Sequence, residues 1–320
     1  MKALDIALAA IVIVLWGINF TVIKLGVNEI PPMLLIALRF IVAAFPAIIV
    51  KRPTISWKYI AVYGLTVGVG QFSFLFYAIL IGMPAGVASV VLQSQAFFTI
   101  FFAGIWFKER IRIGQIVGLI VAGMGLFLIS GNVGSPQFST IPVGPFLLTL
   151  VAAFFWALSN IIVRMASNEA ATQGTKLNML SMVVWSSLFP PLPLLTASLI
   201  LEKPDLIWHA LREINLLAIF SILYLAIFAT LIGFAIWSTL LSKYPAQKIA
   251  PLSLLVPVVG LITAQVFLRE ELSVVQWVGG VIVIGGLLIS NFSSRLGKDG
   301  SDESASLTAP GSGTSASKNR

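Results

Sequence analysis

Two glutamines, Gln93 and Gln95, lie in the middle of a long apolar segment that begins after Pro84. Their distance from Pro84 corresponds to about 14–17 Å along a helix. A side-chain amide at that depth in a membrane cannot easily reach interfacial water, and an unsatisfied polar group in hydrocarbon is costly. We therefore expect these amides to face protein or a water-filled cavity.

Polar and aromatic side chains occupy similar positions in other apolar segments. The candidate substrate-binding residues are Trp16, Asn19, Arg39, Gln71, Gln93, Gln95, Trp156, Asn160 and Ser253. For the amides, hydrogen bonding between helices is the alternative role. Gln93 and Gln95 point about 200° apart around a regular helix, so they cannot both face one cavity squarely, and Gln93 is the favoured residue.

Arg39 is the only charged residue well inside an apolar segment. It either extends towards the outer surface or pairs with carbonyls, or it binds a substrate carboxylate. Pro251 and Pro257 interrupt the ninth apolar segment. Since proline removes a backbone donor, they mark either a gating segment or a simple kink.

Catalytic chemistry is not indicated. The chain has no cysteine and one histidine, His209, which falls in a predicted outer loop. The acidic residues lie at segment ends, in loops or in the C-terminal tail, so the sequence lacks a buried carboxylate relay as well as paired catalytic acids. A phosphate-binding Gly-Lys loop is also missing. We predict neither an enzyme nor a cofactor or metal site.

The composition is that of a membrane protein. Hydrophobic residues make up 58% of the 320-residue chain and charged residues 10%, against about 25% charged in soluble domains. The net charge is +8, and the basic residues lie between the apolar runs. This distribution is typical of residues that orient a membrane protein rather than of nucleic-acid binding. We predict ten spans packed against lipid, at about 5–24, 33–50, 58–81, 85–107, 113–130, 143–164, 178–201, 214–241, 248–268 and 274–293.

The chain repeats itself. Pro84 and Glu109 match Pro245 and Glu270, which lie 161 residues later. Each copy holds five predicted spans, an odd number, so the second copy must cross the membrane in the opposite direction. The predicted fold class is thus an all-α integral membrane protein of ten helices in two inverted repeats, residues 1–140 and 141–293.

Most basic residues in the loops fall on one side if the N-terminus is cytoplasmic, which predicts that both termini are cytoplasmic. Residues 294–320 are rich in Ser, Gly and Asp and are predicted to be a disordered cytoplasmic tail.

These residues resemble the EamA family of the drug/metabolite transporter superfamily. The resemblance is carried by Trp16-Gly-Ile-Asn19 and Arg39-Phe40, and by Pro84-Ala and the turn at Glu109-Arg110. Three stretches, 16–26, 84–100 and 250–261, are similar to exporters of O-acetylserine and cysteine. Lys108, where the family often has glycine, and Glu271, in place of a second arginine, depart from its pattern.

The resemblance implies a bacterial inner-membrane carrier that exports small amino-acid metabolites by alternating access. The sequence leaves two alternatives open. One is an exporter of other metabolites, such as aromatic or hydrophobic amino acids or drugs. The other is a membrane scaffold without transport activity. The expected partner is a small-molecule substrate, and the sequence does not determine the oligomeric state.

Overall fold

The structure is a computed structural model that describes residues 1–129, 141–244 and 246–307. Every regular element in that part of the chain is helical, with no β-strand. Seven helices are long and apolar enough to cross a membrane, so this is a multi-pass membrane protein. They are Ala3–Glu29, Trp57–Leu80, Ala85–Phe107, Val143–Thr172, Leu216–Lys243, Pro251–Leu268 and Val274–Asn291.

Other apolar helices are bent or shorter. Met179–Ser186 and Pro191–Leu201 together are long enough to cross, but they meet at an angle of 43°. Pro190 and Pro191 lie at this bend, where the missing backbone donors interrupt the helix. Pro32–Ile48 and Ile113–Ile129 are apolar helical segments of shorter length.

The helices are numbered in chain order. In the first half they are α1 Ala3–Glu29, α2 Pro32–Ala44, α3 Trp57–Gly64, α4 Phe72–Leu80, α5 Ala85–Val91, α6 Gln95–Phe107 and α7 Ile113–Ile129. In the second they are α8 Val143–Thr172, α9 Met179–Ser186, α10 Pro191–Leu201, α11 Pro204–Arg212, α12 Leu216–Leu223, α13 Gly233–Lys243, α14 Ala246–Ile249, α15 Val256–Leu268 and α16 Val274–Leu307.

Several segments change helix type midway, at similar places in each half. α3 joins α4 through a π-helix, Leu65–Gln71, and α12 joins α13 through another, Tyr224–Ile232. α5 joins α6 through a 3₁₀ turn, Leu92–Ser94, and α14 joins α15 through Ala250–Leu255. Such breaks redirect side chains away from the positions of a regular α-helix.

Repeated positions share local backbone structure. Lys108 and Arg269, 161 residues apart, end α6 and α15 in the left-handed conformation, with φ of 53° and 54°. Gln115 and Gln276 have the same separation. Each side chain accepts a hydrogen bond from the backbone N–H three residues earlier, at 2.9 Å and 3.0 Å. The sequence repeat therefore also appears in how these helices end and begin.

Glycines allow α7 and α16 to touch backbone to backbone. A Cβ added to Gly118 would lie 2.5 Å from the carbonyl oxygen of Gly286, and one on Gly125 would lie 2.6 Å from that of Gly279. Any side chain at these positions would force the helices apart, so these four positions need glycine for close packing.

The C-terminal end differs from the prediction. α16 continues to Leu307, whereas the sequence predicted disorder from residue 294. Its composition is polar, but no proline occurs before residue 308 to stop the helix. Residues 308–320 and the predicted repeat boundary near residue 140 lie outside the described residues.

Candidate functional site

A cavity of about 170 Å³ lies between the two halves of the chain. Most of the predicted substrate-binding residues line it: Trp16, Asn19, Arg39, Gln71, Gln93, Gln95, Trp156 and Ser253. Asn160 is the exception, because it contacts the lining residue Gln95 rather than the cavity. Residues from many parts of the sequence therefore converge on one internal space.

Arg39 provides the positive charge of this cavity. Its side chain is buried, with 4% exposure, which is contrary to the alternative that it extends to the membrane surface. Nη2 donates to the Thr230 hydroxyl at 2.9 Å, and the guanidinium carbon lies 4.0 Å from the centre of the Phe72 ring. Nε and Nη1 are buried without a hydrogen-bond partner. A buried cation with two unused donors is suited to bind an anion.

Thr230 holds Arg39 but was not predicted from the sequence. It lies in the second π-helix, and its hydroxyl donates to the carbonyl of Leu225 at 2.7 Å. That bond leaves the oxygen to accept from the guanidinium. A threonine in the middle of the eighth apolar segment was the only available signal.

Gln93 and Gln95 both line the cavity, although a regular helix would turn them to different faces. The 3₁₀ turn at Leu92–Ser94 tightens the helix between them and changes the angle at which their side chains leave it. The Gln95 carbonyl oxygen accepts from Asn160 Nδ2 at 2.8 Å. Asn160 therefore orients Gln95 and leaves its amide nitrogen as a donor.

Trp16 and Asn19 come from the middle of α1. Trp16 Nε1 donates to the Ala229 carbonyl at 2.9 Å, and its ring packs 5.4 Å from Phe234 and 5.2 Å from Trp237. Asn19 is buried, and its Oδ1 has no hydrogen-bond partner. The cavity wall thus carries an unused neutral acceptor beside an aromatic surface.

Gln71, Trp156 and Ser253 complete the predicted set. Gln71 ends the first π-helix and is buried. The glycines before it pack closely against other helices, because a Cβ on Gly68 would overlap Pro190 and one on Gly70 would overlap Phe155. Ser253 lies in the 3₁₀ segment 250–255, between the two prolines predicted to gate.

Pro251 and Pro257 do not line the cavity. Pro251 is at the start of the 3₁₀ segment and Pro257 is in the first turn of α15, so each begins a new helical piece. The carbonyl of Pro257 accepts from the Ser89 hydroxyl at 3.4 Å. The prolines thus shape the break beside the site, and their gating role stays a prediction.

Other lining residues were missed by sequence reasoning. Tyr63, Ser186 and Ser187 extend the cavity towards one end of α3 and α9. Both serine hydroxyls donate to the carbonyl of Val183, at 3.0 Å and 2.7 Å. Single serines in an apolar segment carry little signal, because they often bond to the preceding turn of their own helix.

The chemistry of the lining is that of a binding site. Among the described residues, Arg39 is the only charged one in the lining, which contains no Asp, Glu or His. Within the described ranges, no group of three or more His, Cys, Asp and Glu could hold a metal ion. The cavity therefore offers hydrogen bonds, one positive charge and aromatic faces.

Repeat-equivalent glutamates flank the cavity and bind different partners. Glu270 accepts from the backbone N–H groups of Ala85 and Gly86 at 2.7 Å and 3.0 Å, which caps the start of α5. Glu109 instead forms an ion pair with Arg164 of α8. Lys24 follows Trp16 by eight residues, as Arg164 follows Trp156, which makes the two basic residues repeat counterparts. Lys24 donates to the carbonyl of Ile79 at 3.0 Å.

The packing of the neighbouring helices also differs between the Glu270 end and the Glu109 end. Beside Glu270, α5 packs on α15, where a Cβ on Gly86 would lie 3.0 Å from that of Ala264. Beside Glu109, α6 packs chiefly on α8. Among the described residues, no comparable packing joins α6 to the start of α14. Direct helix packing therefore closes the Glu270 end of this helix pair.

Comparison with known proteins identifies the family to which this chain belongs. The sequence pattern of the EamA-like transporter family matches residues 4–131 and 144–292. The chain belongs to the EamA-like transporter family. The family pattern thus occurs twice, and its name indicates a transporter rather than an enzyme.

Relatives in this EamA-like family include named exporters. The chain is 45% identical over 298 residues to a "probable amino-acid metabolite efflux pump" of Salmonella typhimurium, covering 92% of this chain and 97% of the relative. A protein of the same description from Escherichia coli is 44% identical over 297 residues, with the same coverage. A "probable terminal-alkyne amino-acid exporter" of Streptantibioticus cattleyicolor is 26% identical over 286 residues, covering 87% of this chain and 90% of the relative.

The fold also has a solved counterpart. One crystal structure superimposes with a TM-score of 0.60 at 16% sequence identity, over 92% of this chain and 98% of the other. At that identity the likeness concerns the fold alone.

Proposed function

We propose that this protein is a secondary transporter that exports small amino-acid metabolites, of the size of cysteine or O-acetylserine, from the cytoplasm. Arg39 carries the proposal, since it presents two unpartnered buried donors on the wall of an internal cavity. A substrate carboxylate supplies the missing acceptors in a charge-assisted pair. The efflux-pump names of the relatives agree with this class of substrate.

The aromatic lining supports a second candidate substrate class. Phe20, Phe40, Phe72 and Phe234 line the cavity beside Trp16. Such walls favour a hydrophobic or aromatic side chain, so larger apolar amino acids and drugs are the alternative cargo. A scaffold without transport activity is the remaining alternative, and it has no need for a buried cation in a cavity.

We further propose ten membrane crossings in two inverted repeats, 1–140 and 141–293, in a bacterial inner membrane. Seven long apolar helices, one bent pair and two shorter apolar helices supply ten candidates in the predicted positions. The matched caps and the paired glycines of α7 and α16 support the repeat. The basic loops favour cytoplasmic termini.

We propose alternating access, and the different contacts at the two ends of the broken helices support it. In the proposed orientation the Glu270 end is external and the Glu109 end is cytoplasmic. The packing of α5 on α15 supports a closed outer end, and α6 has no comparable packing on α14 among the described residues. In the opposite state the repeat partners exchange roles, so that Glu109 caps the start of α14 and Glu270 pairs with Lys24.

Counterflow tests the function. Purified protein is reconstituted into vesicles loaded with unlabelled cysteine or O-acetylserine, and entry of the labelled compound is measured. Arg39→Gln should lower exchange by at least about tenfold, because the carboxylate loses a buried charged partner. Arg39→Lys should keep part of the activity if charge alone is needed. Arg212→Gln, on α11 outside the cavity, is the control and should exchange normally.

Each outcome separates the alternatives. Absence of counterflow by the wild type would favour the scaffold. Undiminished counterflow by Arg39→Gln would remove Arg39 from the substrate site.

A further inference from the structure

The charge balance of the cavity differs from that of an amino-acid zwitterion. In the described part of the chain, the lining contains one cation, Arg39, and no carboxylate. A zwitterion brings one carboxylate, which Arg39 can neutralise, and one ammonium, which would have no counter-ion among the lining residues. Because a buried charge without a partner is strongly disfavoured, a ligand of net charge −1 fits the cavity better.

The neutral groups of the lining suit an amide. Asn19 Oδ1 is an unpartnered acceptor for an N–H group. Gln95 has its carbonyl oxygen bound to Asn160, so its nitrogen remains to donate to a carbonyl oxygen. The side chains of Gln71 and Gln93 form no hydrogen bond with the described residues, so each can donate to the carbonyl or accept from the N–H of an amide.

Aromatic faces are weak substitutes for an acidic residue here. The Trp16 ring already packs against Phe234 and Trp237, and the Phe72 ring is covered by the Arg39 guanidinium. A face occupied by another group is not free to bind an ammonium. Among the lining aromatics, Phe20, Tyr63 and Trp156 have no such ring contact in the described part of the chain.

We infer that the cavity selects monoanionic amino-acid derivatives, those whose α-amino group is acylated, over zwitterionic ones. This inference rests on the proposed function, because it assigns a substrate class to the same site. In it, the ligand carboxylate accepts a hydrogen bond from an unpartnered donor of Arg39, either Nε or Nη1. The acyl amide lies against Asn19 and the glutamines.

Two isomers test the inference. N-acetylserine and O-acetylserine contain the same atoms, but the first is a monoanion and the second a zwitterion. Binding to the purified full chain is measured by thermal shift, and transport by counterflow, at mildly acidic pH, where migration of the acetyl group is slow. N-acetylserine should half-saturate both at a concentration at least about tenfold lower. In Arg39→Gln both isomers should bind weakly and the preference should disappear.

The outcomes distinguish this inference from the proposed function. Equal or tighter binding of O-acetylserine, with exchange intact, would overturn the inference and leave an amino-acid exporter. Exchange of cysteine but of neither isomer would also overturn it. If nothing exchanges, the inference and the proposed function fall together.

Discussion

At one end of the cavity Glu270 caps the start of α5, while at the other its repeat counterpart Glu109 pairs with Arg164. The basic counterpart on the Glu270 side, Lys24, binds a backbone carbonyl instead. The two copies have kept these residue types, yet each pair is in a different bonding state. In the proposed cycle, a glutamate that caps the neighbouring broken helix marks the closed end, and one that pairs with its own base marks the open end.

One helix contact is the same in both repeats. α15 packs along α1, where Thr21 and Thr263 share a hydrogen bond of 3.1 Å, and α6 packs along α8. These two helix pairs are repeat counterparts. Since the contact is present at both the open and the closed end, we expect it to persist when the ends exchange states.

The largest effect should come from locking the closed end. The chain has no native cysteine, so Gly86→Cys with Ala264→Cys can form a single disulfide between neighbouring positions. Oxidation should abolish counterflow, because the outer end can no longer open, and a reductant should restore it.

A matched control links α1 to α15 through Thr21→Cys and Thr263→Cys, whose hydroxyls are already in contact. This pair should form its disulfide and retain transport. Loss of transport in both oxidised proteins, or in neither, would contradict the account, in which the α5–α15 contact opens and the α1–α15 contact persists.

A smaller effect is expected from Glu270→Gln. The neutral amide keeps one acceptor oxygen and loses its charge, which should weaken the cap on α5 by about 1–2 kcal/mol. The outward-open state should then be more populated. A cysteine in the cavity, Ser187→Cys, should react about tenfold faster with an impermeant maleimide added outside. An unchanged rate would mean that the cap does not hold the outer end closed.

Glu109→Gln should have the weakest effect, and in the opposite direction. Its ion pair with Arg164 is about half exposed and contributes at most about 1 kcal/mol to the present state. The same glutamate is expected to cap α14 in the outward-open state, so losing it favours the inward-open one. External labelling of Ser187→Cys should fall a few-fold. A shift in the same direction as Glu270→Gln would contradict the equivalence of the two glutamates.

The repeat could be predicted from sequence because Pro84 and Glu109 return in order at Pro245 and Glu270. The bonding partners of Glu109 and Glu270 could not be predicted from the sequence. Glu270 reaches α5 across 185 residues of sequence, so its partner is set by the relative position of whole helices. A sequence that supports two such arrangements does not specify which one is observed.

Individual site residues show the same limit. Arg39 was conspicuous as a charge in an apolar segment, but only the fold decides that it meets Thr230 and the cavity rather than the surface. A regular helix would place Gln93 and Gln95 on opposite faces. No proline or glycine within 92–94 signals the 3₁₀ turn that brings both to the cavity.

The most direct test of the account is the side from which the cavity can be reached. Ser187→Cys is combined with the Gly86–Ala264 disulfide, and an impermeant maleimide is applied to right-side-out and inside-out vesicles. With the disulfide formed, labelling should occur only from the cytoplasmic side, and reduction should restore labelling from both. Labelling from outside while the disulfide is intact would contradict an outer gate formed by α5 and α15.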